Sequence, residues 1–140
     1  MTAYAELHCH SNFSLLDGAS HPEELVAQAA ELGMPALALT DHDAVYGAVR
    51  FIRAAREHGI AHILGAELTL HHEEQPDVAF HLTLLAENQA GWHNLCYLIS
   101  RGRASAPKGL AALPFSELVG CTEGLIALSG CRRGELAGTL

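Results

Sequence analysis

Positive charge is scarce in this chain: Lys and Arg number 8 against 16 Asp and Glu, leaving a formal charge of -8 with histidine neutral. The phosphate attraction that supplies most non-specific nucleic-acid affinity is therefore missing from the stretch as a whole, and any grip on DNA has to lie elsewhere. Long apolar runs are missing too. The start, Met1-Thr2-Ala3-Tyr4-Ala5-Glu6, has no basic region leading into an apolar segment, and nowhere do about 18 uncharged apolar residues stand together. A membrane location is not expected, and the cytoplasm is. Cys9, Cys96, Cys121 and Cys131 form no C-x-x-C pair and no dense framework, so reduced thiols are expected rather than disulfides. Gly-rich phosphate loops and a G-x-S-x-G elbow are absent as well, which removes support for an NTPase or a serine hydrolase.

What the chain does have is apolar residues for a core and an excess of histidine. Of 140 residues 49% are apolar and 17% charged, the balance of one soluble globular unit, and ten are histidine. Tyr4 to His10 alternates enough for a first strand, followed by a polar loop from Ser11 to Ser20. Ser20-His21-Pro22-Glu23 reads as a capping box opening a helix whose buried face is Leu25, Ala29 and Leu32. The continuous apolar run Ala36 to Thr40 predicts a strand covered on both faces. Val45, Val49 and Ile52 stripe a second helix ending near His58-Gly59, and strands follow at His62 to Ala66 and Val78 to Ala86. A third helix carries Trp92, Leu95, Cys96 and Ile99, a loop runs to Leu113, and Leu125 to Leu128 is a further strand.

Strands alternating with helices predict an α/β fold with a parallel sheet and right-handed crossovers. An eight-fold barrel needs about 200 residues or more, so the expectation is an incomplete (βα) barrel, truncated before its last strands inside a helix opened by Arg132-Arg133-Gly134-Glu135. An open barrel exposes a strand edge and apolar helix faces, so the isolated chain is expected to aggregate. No internal repeat, low-complexity segment or second domain is evident.

The chemistry is expected at the strand ends. His8-Cys9-His10 places two imidazoles on one face of a strand, where they can grip one cation or bridge two, and Asp17 follows in a loop able to fold back over them. Thr40-Asp41-His42 ends the second predicted strand and Glu67 lies just past the third, in the crevice where parallel α/β folds gather ligands. His81 and Cys131 are further candidates: a histidine hydrogen-bonded in the core would look the same as the first, and a lone Cys after a strand, taken alone, is more often a small buried hydrophobe than a ligand. Each motif alone has a structural explanation: an H-x-H pair on a surface, or a capped turn. Their joint occurrence at three successive strand ends is what argues for a metal site. Imidazole, carboxylate and thiolate together suit zinc, manganese or iron better than calcium, and clustered ions suit phosphoester hydrolysis. His71-His72-Glu73-Glu74 reads instead as a solvated hairpin tip, and His21, His58, His62 and His93 have no carboxylate company.

In order along the chain, Leu7-His8-Cys9-His10-Ser11, Leu15-Leu16-Asp17-Gly18-Ala19, Leu39-Thr40-Asp41-His42, Gly65-Ala66-Glu67, His81-Leu82-Thr83-Leu84-Leu85-Ala86 and Ser129-Gly130-Cys131 resemble the successive motifs of the PHP (polymerase and histidinol phosphatase) domain of bacterial DNA polymerase III α-subunit-like proteins. Tyr4 to Ser14, Asn94 to Arg101 and Ser129 to Glu135 look most like the error-prone, damage-induced branch; the replicative branch is the close alternative, and a stand-alone histidinol-phosphatase-type phosphoesterase the more distant one.

The resemblance implies metal ligands at His8, His10, Asp17, His42, Glu67, His81 and Cys131, with Asp41, His42 and Glu67 the catalytic groups, around two or three divalent ions (Zn, Mn, Fe or Mg). The family's later Asp-x-His is not reached. The resemblance also implies a parent that makes DNA, using DNA and deoxynucleotides through its other domains and meeting a sliding clamp and damage-response partners, with no polymerase activity in these residues. For the domain itself it leaves open 3′-5′ exonuclease proofreading, or a purely bracing role.

Overall fold

The computed structural model describes residues 4–129 and 133–134. Pro22–Glu31 is helix α1, Ala36–Leu39 strand β1, Ala48–His58 helix α2, Ala61–His72 β2, Gln75–Ala86 β3, Gln89–Ala104 α3, Leu113–Pro114 β4 and Leu125–Leu128 β5. A short 3-10 turn spans Phe115–Leu118. The strand order is β1-β2-β3-β5, with β4 on β2.

The expected α/β architecture is present, but the sheet is mixed rather than wholly parallel. β1 and β2 are parallel, joined by α2; β2 and β3 are antiparallel, and so are β3 and β5. The reason is local: only Glu73-Glu74 separate β2 from β3, too few residues for a crossover, so the chain can only turn back as a hairpin. The hairpin tip is where the His71 to Glu74 pattern puts it, with a register shift between His71 and His72.

Several other expectations shift. The segment from Tyr4 to His10 is extended but is not a ladder strand: it touches β1 through a single bridge, Glu6 to Leu37, supported by Ala38 N donating to Glu6 O and Thr40 N to Cys9 O. The capping box lies one residue later than predicted. Pro22 occupies the first helical turn, where its missing N–H costs nothing, and the Glu24 carboxylate accepts from His21 N at 2.7 Å. Leu32 is exposed at the helix end, and the buried positions of α1 are Pro22, Val26 and Ala29. In α2 the inward stripe is Ala48, Phe51, Ala54 and Ala55, while Val49 faces solvent; small alanines allow close helix packing that a reading by large aliphatics overlooks. Gly59 at φ 71 ends α2 in the left-handed conformation.

Two apolar clusters result. One holds α1 and α2 against β1 through Val26, Leu37, Leu39 and Phe51; the other packs α3 on β2 and β3 through Leu68, Leu70, Leu84, Leu95 and Leu98. Cys9, Cys96 and Cys121 are free thiols. No helix among the described residues is long and apolar enough to cross a membrane.

Candidate metal centre

Alternation along β2 and β3 builds the site. Ala66, Leu68 and Leu70 point into the core, so Glu67 and Thr69 point the other way; opposite them, Phe80 and Leu84 are buried in the core while His81 and Thr83 share the face of Glu67. Glu67 is not at a strand end, as expected, but mid-strand: β2 runs on to His72. What ends near Glu67 is the pairing with the β1 segment. The β1–β2 register of Leu39 to Leu64 continues past a gap to a last bridge, His42 to Glu67, beyond which that edge of β2 pairs with β4 at Leu70 and His71, while β3 lines the other edge from Gly65 on. The crevice opens at that change of partner.

Glu67 is fully buried, which for a carboxylate is unfavourable unless it is well partnered. Three imidazoles surround it. His8 Nε2 and His10 Nε2 lie 2.6 and 2.8 Å from its Oε2, and His81 Nδ1 lies 2.8 Å from its Oε1. Asp17 caps the outer side: its Oδ2 is 2.7 Å from His10 Nδ1 and 3.0 Å from His42 Nε2. His8 and His10 reach the same carboxylate oxygen because alternate residues of an extended segment share a face. The Asp17 loop is closed by Gly18, where any Cβ would collide with the Ser11 carbonyl, and by Asp17 N and Gly18 N donating to Ser14 O at 3.1 and 2.9 Å.

Electrostatics favour charge separation here. Burial by itself would lower the pKa of His10, but hydrogen bonds and charge from Glu67 and Asp17 outweigh it and raise the value above the ordinary imidazole range. Asp17 is held below the ordinary carboxylate value by its hydrogen bonds to His42 and His10. Burial pushes the Cys9 thiol up to about 11, and the nearby Glu6 and Asp41 carboxylates add to the shift.

Three groups present ligand atoms within 4.8 Å of one another: His8, His10 and Glu67; His10, Asp17 and His42; and His42, Glu67 and His81. They share His10, His42 and Glu67, so His, Glu and Asp side chains are positioned to bind metal. Nitrogen and oxygen donors of this kind fit zinc, manganese or iron. Beside them Thr83 Oγ1, opposite Glu67 in the ladder, is buried without a partner. Cys131 lies outside the described residues.

Asp41, expected among the catalytic groups, sits elsewhere. It is 1% exposed and turns into the loop, accepting from Ser11 N, Ser11 Oγ and Ser14 Oγ at 2.7, 2.7 and 2.6 Å. Sequence reasoning passed over Ser11, Ser14, Asp43 and Thr69, all of which hold the ligand-bearing segments. The signal was present in Asp41-His42-Asp43, a histidine between two carboxylates.

A family profile described as the PHP domain matches residues 6–140. The error-prone DNA polymerases of Symbiobacterium thermophilum and Mycobacterium tuberculosis are 50% and 46% identical, each over 96% of this chain and 13% of their own length. That of Pseudomonas aeruginosa is 49% identical over 91% of this chain and 12% of its own. The chain thus spans about an eighth of the polymerases it matches. Two solved structures share the fold at TM-scores of 0.57 and 0.59: a protein of Bifidobacterium adolescentis designated a metal-dependent phosphoesterase, and an amidohydrolase of Chromobacterium violaceum solved with sulfate and no metal. They are 32% and 31% identical, covering 71% and 74% of this chain and 33% and 34% of theirs. With that profile matched along nearly its whole length, the chain belongs to the PHP domain family.

Proposed function

We propose that residues 1–140 are the N-terminal part of the PHP phosphoesterase domain of an error-prone DNA polymerase, holding two or three divalent metal ions for phosphoester hydrolysis at a DNA end. The observation that carries this reading is the sharing of His10, His42 and Glu67 among three ligand groups, which suits a multinuclear cluster better than a single ion. Metal ions bound there supply Lewis acidity and lower the pKa of bound water toward neutrality. The chain's own residues do the rest. Glu67, buried and contacted by three imidazoles, would hold such ions together with His8, His10, His42 and His81. Asp17, 54% exposed, leaves the outer side open to a substrate, and the partly exposed His8 and His42 line the same mouth.

Cys131 belongs to the proposed ligand set by the family pattern alone. DNA and deoxynucleotides are the proposed partners of the longer parent, with its other polymerase domains and a sliding clamp; this acidic stretch itself contributes little DNA affinity. The test is metal analysis of the purified chain and of the longer polymerase, followed by incubation with manganese and a single-stranded oligonucleotide. Release of the 3′-terminal nucleotide by the polymerase, lost in Glu67→Ala, is the expected result. Metal retention without cleavage would leave a bracing role, and absence of metal would overturn the reading.

A further inference from the structure

His42 is flanked by two carboxylates that do not join any of the ligand groups, and each is tied to a different part of the site. Asp41 holds the loop that carries Asp17. Its Oδ1 accepts from Ser14 Oγ at 2.6 Å; that hydroxyl in turn accepts from His42 N at 3.0 Å, while Ser14 O accepts from Asp17 N at 3.1 Å. Ser14, 2% exposed, is thus in contact with the backbone of both His42 and Asp17.

Asp43 holds β2. Its Oδ1 accepts from Thr69 N at 2.8 Å and its Oδ2 from Thr69 Oγ1 at 2.7 Å. Its N–H donates to Glu67 O at 2.9 Å and its carbonyl accepts from Arg103 Nε of α3 at 3.1 Å. Thr69 is two residues from Glu67 and stands opposite His81 in the β2–β3 ladder. Asp43 does this at φ 48, a left-handed conformation that a non-glycine residue keeps only where its surroundings fix it.

We propose that Asp41 and Asp43 are positioning residues with separate duties: Asp41, through Ser14, sets the His10–Asp17–His42 group, and Asp43, through Thr69, sets the His42–Glu67–His81 group. This rests on the metal reading above. His42 belongs to both groups, so two independent anchors, one on each side of it, let the chain fix its distance to Asp17 and to Glu67 separately. Partners of this kind orient the groups that touch a metal, and removing one typically weakens metal affinity about 10- to 100-fold.

The hydroxyls are the handles for a test, because replacing either aspartate outright endangers the fold. Manganese alone is titrated into the longer polymerase that carries the complete domain and followed by calorimetry and electron paramagnetic resonance, with thermal melts to show that each variant is folded. Ser14→Ala is expected to weaken about 10- to 100-fold the binding step that Asp17→Ala abolishes, and to spare the step that His81→Ala abolishes. Thr69→Val is expected to do the reverse, and Thr69→Ser, which keeps the hydroxyl, to restore it. Should Ser14→Ala fail to fold, the Val and Ser pair at position 69 decides. Wild-type polymerase that shows neither step sinks the metal reading and this inference together. Wild-type binding with both variants weakening the same step, or neither changing, overturns this inference alone.

Discussion

The two faces of the β2–β3 hairpin do opposite work with the same backbone. On one, Ala66, Leu68, Leu70, Phe80 and Leu84 are buried against α3; on the other, Glu67, Thr69, His81 and Thr83 face the ligand groups. The faces are one residue out of phase, so a slip of one position would carry Glu67 into the apolar core and a leucine into the site. Register is therefore the shared requirement: the core that fixes it is also what holds the ligands in place. An apolar cavity of about 590 Å³ lies away from most of the ligands, between Phe80, Leu84, Phe115, Leu118 and Leu125. Its apolar lining offers no ligand set, so the chemistry is assigned by the donors at the mouth rather than by the size of the hollow.

The comparison breaks most sharply at adjacent residues. Leu68→Ala, at 1% exposure, is expected to cost about 2–5 kcal/mol of folding stability while leaving manganese stoichiometry intact in whatever remains folded. Glu67→Ala is expected to lose, even at millimolar manganese, the binding at the two of the three ligand groups that contain this carboxylate. Denaturant melts and metal titrations on both variants check the pair. Equal loss of metal from both would mean that the faces are not separable.

A smaller effect is expected where α3 meets the turn before β5. Gly91 is buried there, and a Cβ on it would collide with the Gly124 carbonyl; Gly124 sits at φ 69, and its carbonyl accepts from Glu87 N at 2.9 Å. Gly to Ala inside a helix usually stabilises by about 1 kcal/mol. Gly91→Ala is expected instead to destabilise by about 1–3 kcal/mol through overpacking, and to leave metal affinity unchanged because the change lies on the core side. A chemical melt showing stabilisation would refute this close approach.

Much of this was legible in the residues because period-two patterning and motif spacing are local. His8 and His10 converge on Glu67 as same-face neighbours should, and the hairpin tip at His71 to Glu74 sits where the polar run puts it. What was not legible depends on partners distant in sequence. Whether β3 runs parallel or antiparallel was decided by turn length, which a short apolar run does not announce. Asp41 looked catalytic beside His42, but only the fold brings Ser11 and Ser14 onto its oxygens. Asp43 stands out beside His42, but its partner Thr69 is 26 residues away and their pairing is visible only once β2 is placed beside the β1 end. The inward face of α2 was missed because its alanines pack by fit rather than by bulk.

The weakest expected effect belongs to an ion pair remote from the ligands, and it sharpens the contrast by showing what an exposed carboxylate contributes. Arg101 on α3 donates to Glu117 across 2.7 Å, with both side chains in contact with solvent. The hydrogen bond from Arg101 lowers the Glu117 pKa below the ordinary carboxylate value; slight desolvation opposes this and the guanidinium charge reinforces it. A carboxyl group whose folded value is depressed favours the folded state above its unfolded value, and that contribution fades as pH falls through the lower folded value. Solvent and salt screen such a pair, so its effect on stability near neutral pH is expected to be slight. The checkable quantity is the titration itself. By carbon-detected nuclear magnetic resonance, the Glu117 carboxyl is expected to titrate below an unpaired glutamate in the wild-type chain and to return to the ordinary range in Arg101→Gln. Metal binding should be unchanged. A Glu117 midpoint indifferent to that substitution would show that the pair is not formed in solution, whereas Glu67, enclosed by its imidazoles, has no comparable freedom to part from its neighbours.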